Sequence, residues 1–298
     1  MVEQNENQEQ PPFKHVVISG MGLMGLGIGQ CCVESGYKTW LLARNDDKAK
    51  RAKQDVENEK ATKLHADNEQ EAQQWVEERM SRLHVGTDLK DALVGADLFI
   101  EAVIENREIK QDLFAEVEQL GPNGIVLVTN TSSMRLSDLG EKLQRPENLG
   151  GLHFFSPVPA MKVVEVVKSE KTADDVAQRL DDFGKSLGKV TILCKDTPGF
   201  VINRMVLPLL NISHTLVDEG VASLESIDLA SKLGMNLPLG LLSLSDMIGL
   251  DTIWNANKEM MNYEGVMDLK PVKCLDRLVA QGKLGRKSGC GFFDYKKK

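Results

Sequence analysis

As far as about residue 195, apolar residues fall in short unbroken runs, each followed by glycine or by polar turn residues. His15-Val16-Val17-Ile18-Ser19, Lys38-Thr39-Trp40-Leu41-Leu42, Asp97 to Val103, Gly124 to Thr129 and Lys189 to Cys194 are the plainest of these. Such runs are too continuous for strands with one wet face, and they predict strands of a parallel sheet covered on both sides. Between them lie helical stretches: Gly22 to about Glu34, the segment carrying Lys110, and Thr172 to Leu187. The alternation predicts an α/β fold. Gly151 to Val167 reads instead as strand, turn and strand, because Pro157 and Pro159 cannot sit in a central strand. From Asp46 to Arg82 the chain is charged and helix-forming, and it predicts two helices joined near His65 to Asn68. Asp196-Thr197-Pro198-Gly199 ends the alternation, and from Phe200 the pattern is helical alone. The expected organisation is a leader over 1–13, a sheet domain over 14–198 and an all-α domain over 199–298. Phe200 to Val217 is apolar on most sides, as suits a helix at the centre of a bundle or a subunit interface, with Pro208 expected to kink it.

The first strand runs directly into Gly20-Met21-Gly22-Leu23-Met24-Gly25, the G-x-G-x-x-G pattern between a strand and a helix. The first glycine permits a tight turn, the second admits a pyrophosphate to the backbone, and the third lets helix and strand pack closely. A helix N-terminus then faces the phosphates with free N–H groups. Gly20, Gly22, Leu23, Met24 and Gly25 are therefore candidate dinucleotide-binding residues in a Rossmann-type doubly wound sheet. This fold normally places a carboxylate for the ribose hydroxyls at the end of the second strand, yet that position is Ala43, followed by Arg44. Losing the acid and gaining a guanidinium favours a 2′-phosphate, so NADP as well as NAD is expected. Arg44 as a surface charge is the competing reading.

Polar residues gather where the later strands end: Glu105 and Asn106, then Asn130-Thr131-Ser132-Ser133. Ser133 is expected to be a turn or helix cap. His153 and Glu165 lie on the two arms of the strand–turn–strand segment, within reach of each other if the strands pair. A carboxylate on one ring nitrogen would fix the tautomer and make the other nitrogen a better base. The same pair could also do no more than tie two strands together. Asn203 and Arg204 open the long apolar helix beside the expected domain crease, and His214, alone on that helix, is expected to be structural.

Composition narrows the options. With 42% hydrophobic and 27% charged residues this is an ordinary globular chain, and the net charge of −8 argues against a broad nucleic-acid surface. An anionic substrate would need locally placed cations, for which Lys60 and Lys63 are candidates. The five cysteines have no metal-ligand spacing, and their odd number points to a reducing compartment, cytoplasm or mitochondrial matrix. The opening MVEQNENQEQPP is polar and acidic, unlike an Arg-rich transit peptide. No apolar run reaches the roughly 18 residues of a membrane span.

Seven blocks together resemble the short-chain L-3-hydroxyacyl-CoA dehydrogenase family: GMGLMGLGI at Gly20, EAVIENREIK at Glu101, NTSS at Asn130, HFFSPVPAMKVVEVV at His153, DTPGFVINR at Asp196, EGVASLESID at Glu219 and GKLGRKSGCGFFDY at Gly282. The resemblance implies an acyl-CoA thioester substrate, a nicotinamide cofactor and a homodimer. It makes His153 the base and Glu165 its partner. Ser132 and Asn203 would hold the substrate's thioester carbonyl and hydroxyl, and Glu105 and Lys110 would line the cofactor's ribose and nicotinamide side. Two departures stand out. Ala43 replaces the family's ribose acid, and Ser156 replaces its asparagine after His-Phe-Phe, at a position that normally meets cofactor. A dehydrogenase of the same superfamily acting on a free hydroxy acid or sugar acid, and a crystallin-like nucleotide-binding protein, are the rival readings.

Overall fold

The computed structural model describes residues 11–50, 77–263, 265, 267 and 269–296. The first ten residues, Lys60, Lys63 and the expected helix joint at His65 to Asn68 lie outside the described residues. Backbone contacts divide the chain into two units, Met1–Asp196 and Thr197–Lys298.

The first unit is built on an eight-stranded sheet: β1 (His15–Ser19), β2 (Lys38–Leu42), β3 (Leu83–Gly86), β4 (Leu98–Glu101), β5 (Val126–Thr129), β6 (Leu149–Phe154), β7 (Val163–Lys168) and β8 (Val190–Lys195). Their order is β3-β2-β1-β4-β5-β6-β7-β8. Every neighbouring pair is parallel except β6 and β7. Strand order reverses between β1 and β4, the crevice where open α/β sheets bind ligands. β1, β4, β5 and β6 are buried along their whole length, which is why they read as apolar runs with no polar alternation.

β3 was not legible. Its Leu-His-Val-Gly carries one fully buried side chain and directly follows a charged helical run, so only its pairing with β2 makes it a strand. Helices α1 (Leu23–Glu34), α2 (Leu89–Ala92), α3 (Arg107–Leu120), α4 (Leu136–Leu139) and α5 (Asp174–Ser186) accompany the sheet. α3 is capped by Asn106, which accepts from Ile109 N–H at 3.1 Å, and its buried stripe is Lys110, Gln111, Phe114 and Val117. A lysine on that stripe needs a buried partner. α5 presents Val176, Leu180 and Phe183 to the core, where Phe183 meets the edges of Phe13 and Tyr37.

The second unit comprises α6 (Ile202–Asp218), α7 (Leu224–Gly234), α8 (Leu241–Ile248), α9 (Leu250–Met261) and α10 (Lys273–Ala280) around Leu210, Leu242, Leu250, Ile253 and Leu275. α6 contains Pro208 and buries Leu207, Leu210, Asn211, Ser213 and His214. The opposite side leaves Met205 and Ile212 56% and 59% exposed, so of the two expectations for α6, bundle centre or subunit interface, the first is not met within one chain. His214 is structural, as expected: it is buried, its Nε2 lies 2.8 Å from Ser245 Oγ, and its ring stacks on Phe292. Among the described residues no helix is long and apolar enough to cross a membrane, and no cluster of metal-ligating side chains is present.

Candidate active site

The carboxyl end of β1 opens the site. Gly20 has φ +116°, and a Cβ there would lie 2.2 Å from the carbonyl oxygen of Ala102, just past β4. A Cβ on Gly25 would meet the carbonyl oxygen of Gly20 at 1.8 Å, whereas at Gly22 nothing lies within 4 Å. Sterics thus demand the outer glycines, and the middle one faces open space. Gly22 is also the N-cap of α1, with no side-chain cap, so the first N–H groups of that helix have no side-chain acceptor. Leu23 is 73% exposed and Met24 packs partly against the core, which leaves their backbone for a ligand. An open approach and uncapped donors fit a pyrophosphate. At the end of β2, Ala43 is buried and donates its N–H to the Gly86 carbonyl at 2.8 Å. Arg44, next to it, is exposed.

β4 ends in Glu101, wholly buried. It accepts from Lys110 Nζ at 2.6 Å, Thr129 Oγ1 at 2.7 Å and Val103 N–H at 2.7 Å. Burial pushes its carboxyl above the usual range, against the pull of Lys110 and these hydrogen bonds. Lys110 also reaches Glu105 Oε2 at 3.0 Å, and Thr131 and Ser133 donate to Glu105 Oε1. Burial alone would raise the Glu105 carboxyl, but Lys110, Thr131 and Ser133 together hold it below its ordinary value. Two expectations change here. Ser133 is not a helix cap: α4 begins after Arg135, and the Ser133 hydroxyl bonds to Glu105 instead. Lys110 is only 1% exposed and lies under Glu105, so Glu105, at 42%, is the member that meets the surface.

At the end of β5, Asn130 Oδ1 accepts from Phe154 N–H at 3.0 Å and ties the ends of β5 and β6 together. Ser132, two residues on, is half-buried. β6 and β7 pair antiparallel with His153 opposite Glu165, so the strand–turn–strand expectation holds to the register. Glu165 Oε2 lies 2.6 Å from His153 Nδ1, with both residues buried and the imidazole tilted over Phe155 at 4.4 Å between ring centres. A carboxylate at Nδ1 leaves the lone pair of the neutral ring on Nε2. The pair can act as an oriented general base. Ser156 is exposed beyond the end of β6.

The turn between the arms is held from outside by a residue the sequence reading passed over. Lys189, buried at the start of β8, donates to the carbonyls of Val158 at 2.6 Å and Met161 at 2.8 Å. Its only signal was a lysine before an apolar strand, which is also how a surface lysine looks. Asp196, at the end of the strand–helix alternation, caps α4 by accepting from Leu136 and Ser137 N–H at 2.7 and 2.9 Å. The glycine turn, Glu105 and Ser132 follow β1, β4 and β5, and His153 is the last but one residue of β6, so all four lie toward the carboxyl end of parallel neighbouring strands. Asn203 belongs to the second unit, in the first turn of α6.

Residues 15–197 match the sequence family described as 3-hydroxyacyl-CoA dehydrogenase, NAD binding domain, and residues 199–295 match its C-terminal domain. A probable 3-hydroxyacyl-CoA dehydrogenase of Caenorhabditis elegans is 41% identical over 95% of this chain and 93% of its own. The mitochondrial hydroxyacyl-coenzyme A dehydrogenase of Sus scrofa is 37% identical over 95% of this chain and 91% of its own. Among solved structures, (S)-3-hydroxybutyryl-CoA dehydrogenase from Ralstonia eutropha superimposes with a TM-score of 0.85 at 31% identity, over 96% of this chain and all of that one. With the glycine turn, the His153–Glu165 pair and both family domains matched in order, the chain belongs to the 3-hydroxyacyl-CoA dehydrogenase family.

Proposed function

We propose that this protein interconverts L-3-hydroxyacyl-CoA and 3-ketoacyl-CoA with a nicotinamide dinucleotide. The observation that carries this reading is the 2.6 Å contact between His153 and Glu165, toward the same end of the parallel strands as the glycine turn. In the oxidative direction His153 Nε2 takes the proton of the 3-hydroxyl while a hydride leaves the same carbon, and Glu165 stabilises the imidazolium. The dinucleotide, when bound, supplies the hydride acceptor. Gly20, Gly22, Leu23, Met24 and Gly25 hold its pyrophosphate, and Glu105, positioned by Lys110, meets its ribose. Ser132 and Asn203 hold the thioester carbonyl and the hydroxyl, and Ser156 takes the cofactor contact that an asparagine makes in the family. Turnover of 3-hydroxybutyryl-CoA should far exceed that of free 3-hydroxybutyrate; equal rates would turn the assignment toward a free hydroxy acid.

Ala43 and Arg44 support use of NADP(H) as well as NAD(H), since no carboxylate at 43 repels a 2′-phosphate and the Arg44 guanidinium is exposed beside it. With acetoacetyl-CoA, Ala43→Asp should lower the NADPH rate much more than the NADH rate. A strong NADH preference already present in the native protein would refute the Arg44 argument. The second unit supports a homodimer, because Met205 and Ile212 on α6 and Leu229 and Leu233 on α7 are each more than half exposed in a single chain. Light scattering should give twice the 33.0 kDa chain mass. Five free cysteines suit a reducing compartment.

A further inference from the structure

Glu101 is fully buried at the end of β4, and no step above uses it. Its two oxygens take the Lys110 ammonium, the Thr129 hydroxyl and the Val103 N–H, all within 2.7 Å. Lys110 passes its charge on to Glu105, at 3.0 Å. Two carboxylates therefore share one ammonium, and with both ionised, as the lysine contacts at 2.6 and 3.0 Å favour, the group carries a net negative charge. Arg107, on the same helix, does not compensate it, being paired with Asp138 at 3.0 Å. Stability alone does not account for the arrangement, since a buried ion pair is often no better than apolar packing of the same volume.

Its position suggests what it does. A Cβ on Gly20 would meet Ala102, the residue after Glu101, at 2.2 Å, so the dinucleotide turn lies directly on this strand end. When the adenosine half of a dinucleotide occupies the β1–β2 side of the reversal in strand order, the other half falls over β4 and β5. The oxidised nicotinamide ring is a cation and the reduced ring is neutral. A fixed negative charge under that half separates the two, and it has no such handle on the adenosine half.

We propose that Glu101 is a positioning residue that clamps Lys110 against Glu105 and, by keeping the group net negative, makes the site favour the oxidised over the reduced nicotinamide. The inference rests on the nicotinamide reading given above. Glu101→Gln keeps the shape and removes one negative charge. On the full chain, titration with NAD⁺, NADH and ADP should show NAD⁺ weakened about tenfold relative to NADH, the scale of one shielded charge at several ångströms, with ADP, which has neither the nicotinamide nor its ribose, unchanged. Glu105→Gln, on the partly exposed rim where folding is not at stake, should move the ratio the same way. Parallel weakening of all three ligands would overturn the proposal and leave Glu101 a structural residue, and so would an unchanged NAD⁺ to NADH ratio in both variants. A native protein that binds neither NAD⁺ nor NADH would overturn the nicotinamide reading itself.

Discussion

A carboxylate oxygen 2.6 Å away, on a residue with no exposed surface, meets the His153 ring at Nδ1. Glu165→Gln keeps a side chain of the same size but cannot stabilise an imidazolium, so kcat should fall by at least about a hundredfold. Dinucleotide affinity should hold within about twofold, because Glu165 sits on β7 against His153, while the glycine turn follows β1; titration beside steady-state rates checks both. His214 is the opposite kind of histidine. Burial drives its pKa down to about 3, so the folded ring stays neutral where the unfolded one, near its usual 6.5, takes up a proton. Between those values the unfolded chain binds more protons and stability rises with pH. The stabilisation is complete above about 6.5 and falls by about 1.4 kcal/mol for each pH unit below it. Urea midpoints at pH 7, 6 and 5 should drop less steeply in His214→Gln than in the native chain. The sequence already set the two histidines apart, and the partners of each, Glu165 for His153 and Ser245 and Phe292 for His214, give the physical reason.

The β6–β7 hairpin shows how far an element could be read. Prolines at 157 and 159 and the valine run predict strand, turn and strand, and the antiparallel pairing of β6 with β7 bears that out. The clamp on that turn was hidden, because Lys189 sits 28 residues beyond Met161 in sequence and its partners there are backbone carbonyl oxygens, which carry no side-chain signal. Lys189→Met would leave the Val158 and Met161 carbonyls without their charged donor, costing about 2 to 4 kcal/mol. The thermal midpoint should fall, and kcat with it, as the two arms lose their common anchor; an unchanged midpoint would show that water replaces the ammonium. A second anchored element is the C-terminal GKLGRKSGCGFFDY block. Buried Asp246 accepts from the N–H groups of Phe292 and Phe293, both at 2.9 Å, and from the Tyr295 hydroxyl at 3.0 Å. A Cβ on Gly291 would strike the same carboxylate at 1.9 Å, which explains a glycine there. Removing residues 285–298 should strip Asp246 of these donors and uncover the His214 ring, on which Phe292 stacks. Circular dichroism should then show lost helix and a broadened melt.

At the scale of the whole molecule, site residues from Gly20 to His153 become neighbours because four strands far apart in sequence end on the same side of one sheet. Chain order alone established much of this. Continuous apolar runs called for a covered sheet, which holds for β1, β4 and β5 but not for the edge strand β8, whose Val190 and Leu193 are 65% and 62% exposed; the glycine pattern between strand and helix called for a dinucleotide turn, and the end of alternation near Asp196 called for a helical second part. Those readings rest on local physics: side-chain period, turn sterics and the burial demanded by unbroken apolar strands. Tertiary structure decided the rest. It made Leu83–Gly86 a strand by offering β2 as a partner, moved Ser133 from cap to carboxylate donor, and sank Lys110 between two glutamates. Hydrogen-bond partners and desolvation depend on residues distant along the chain, and no local window contains them.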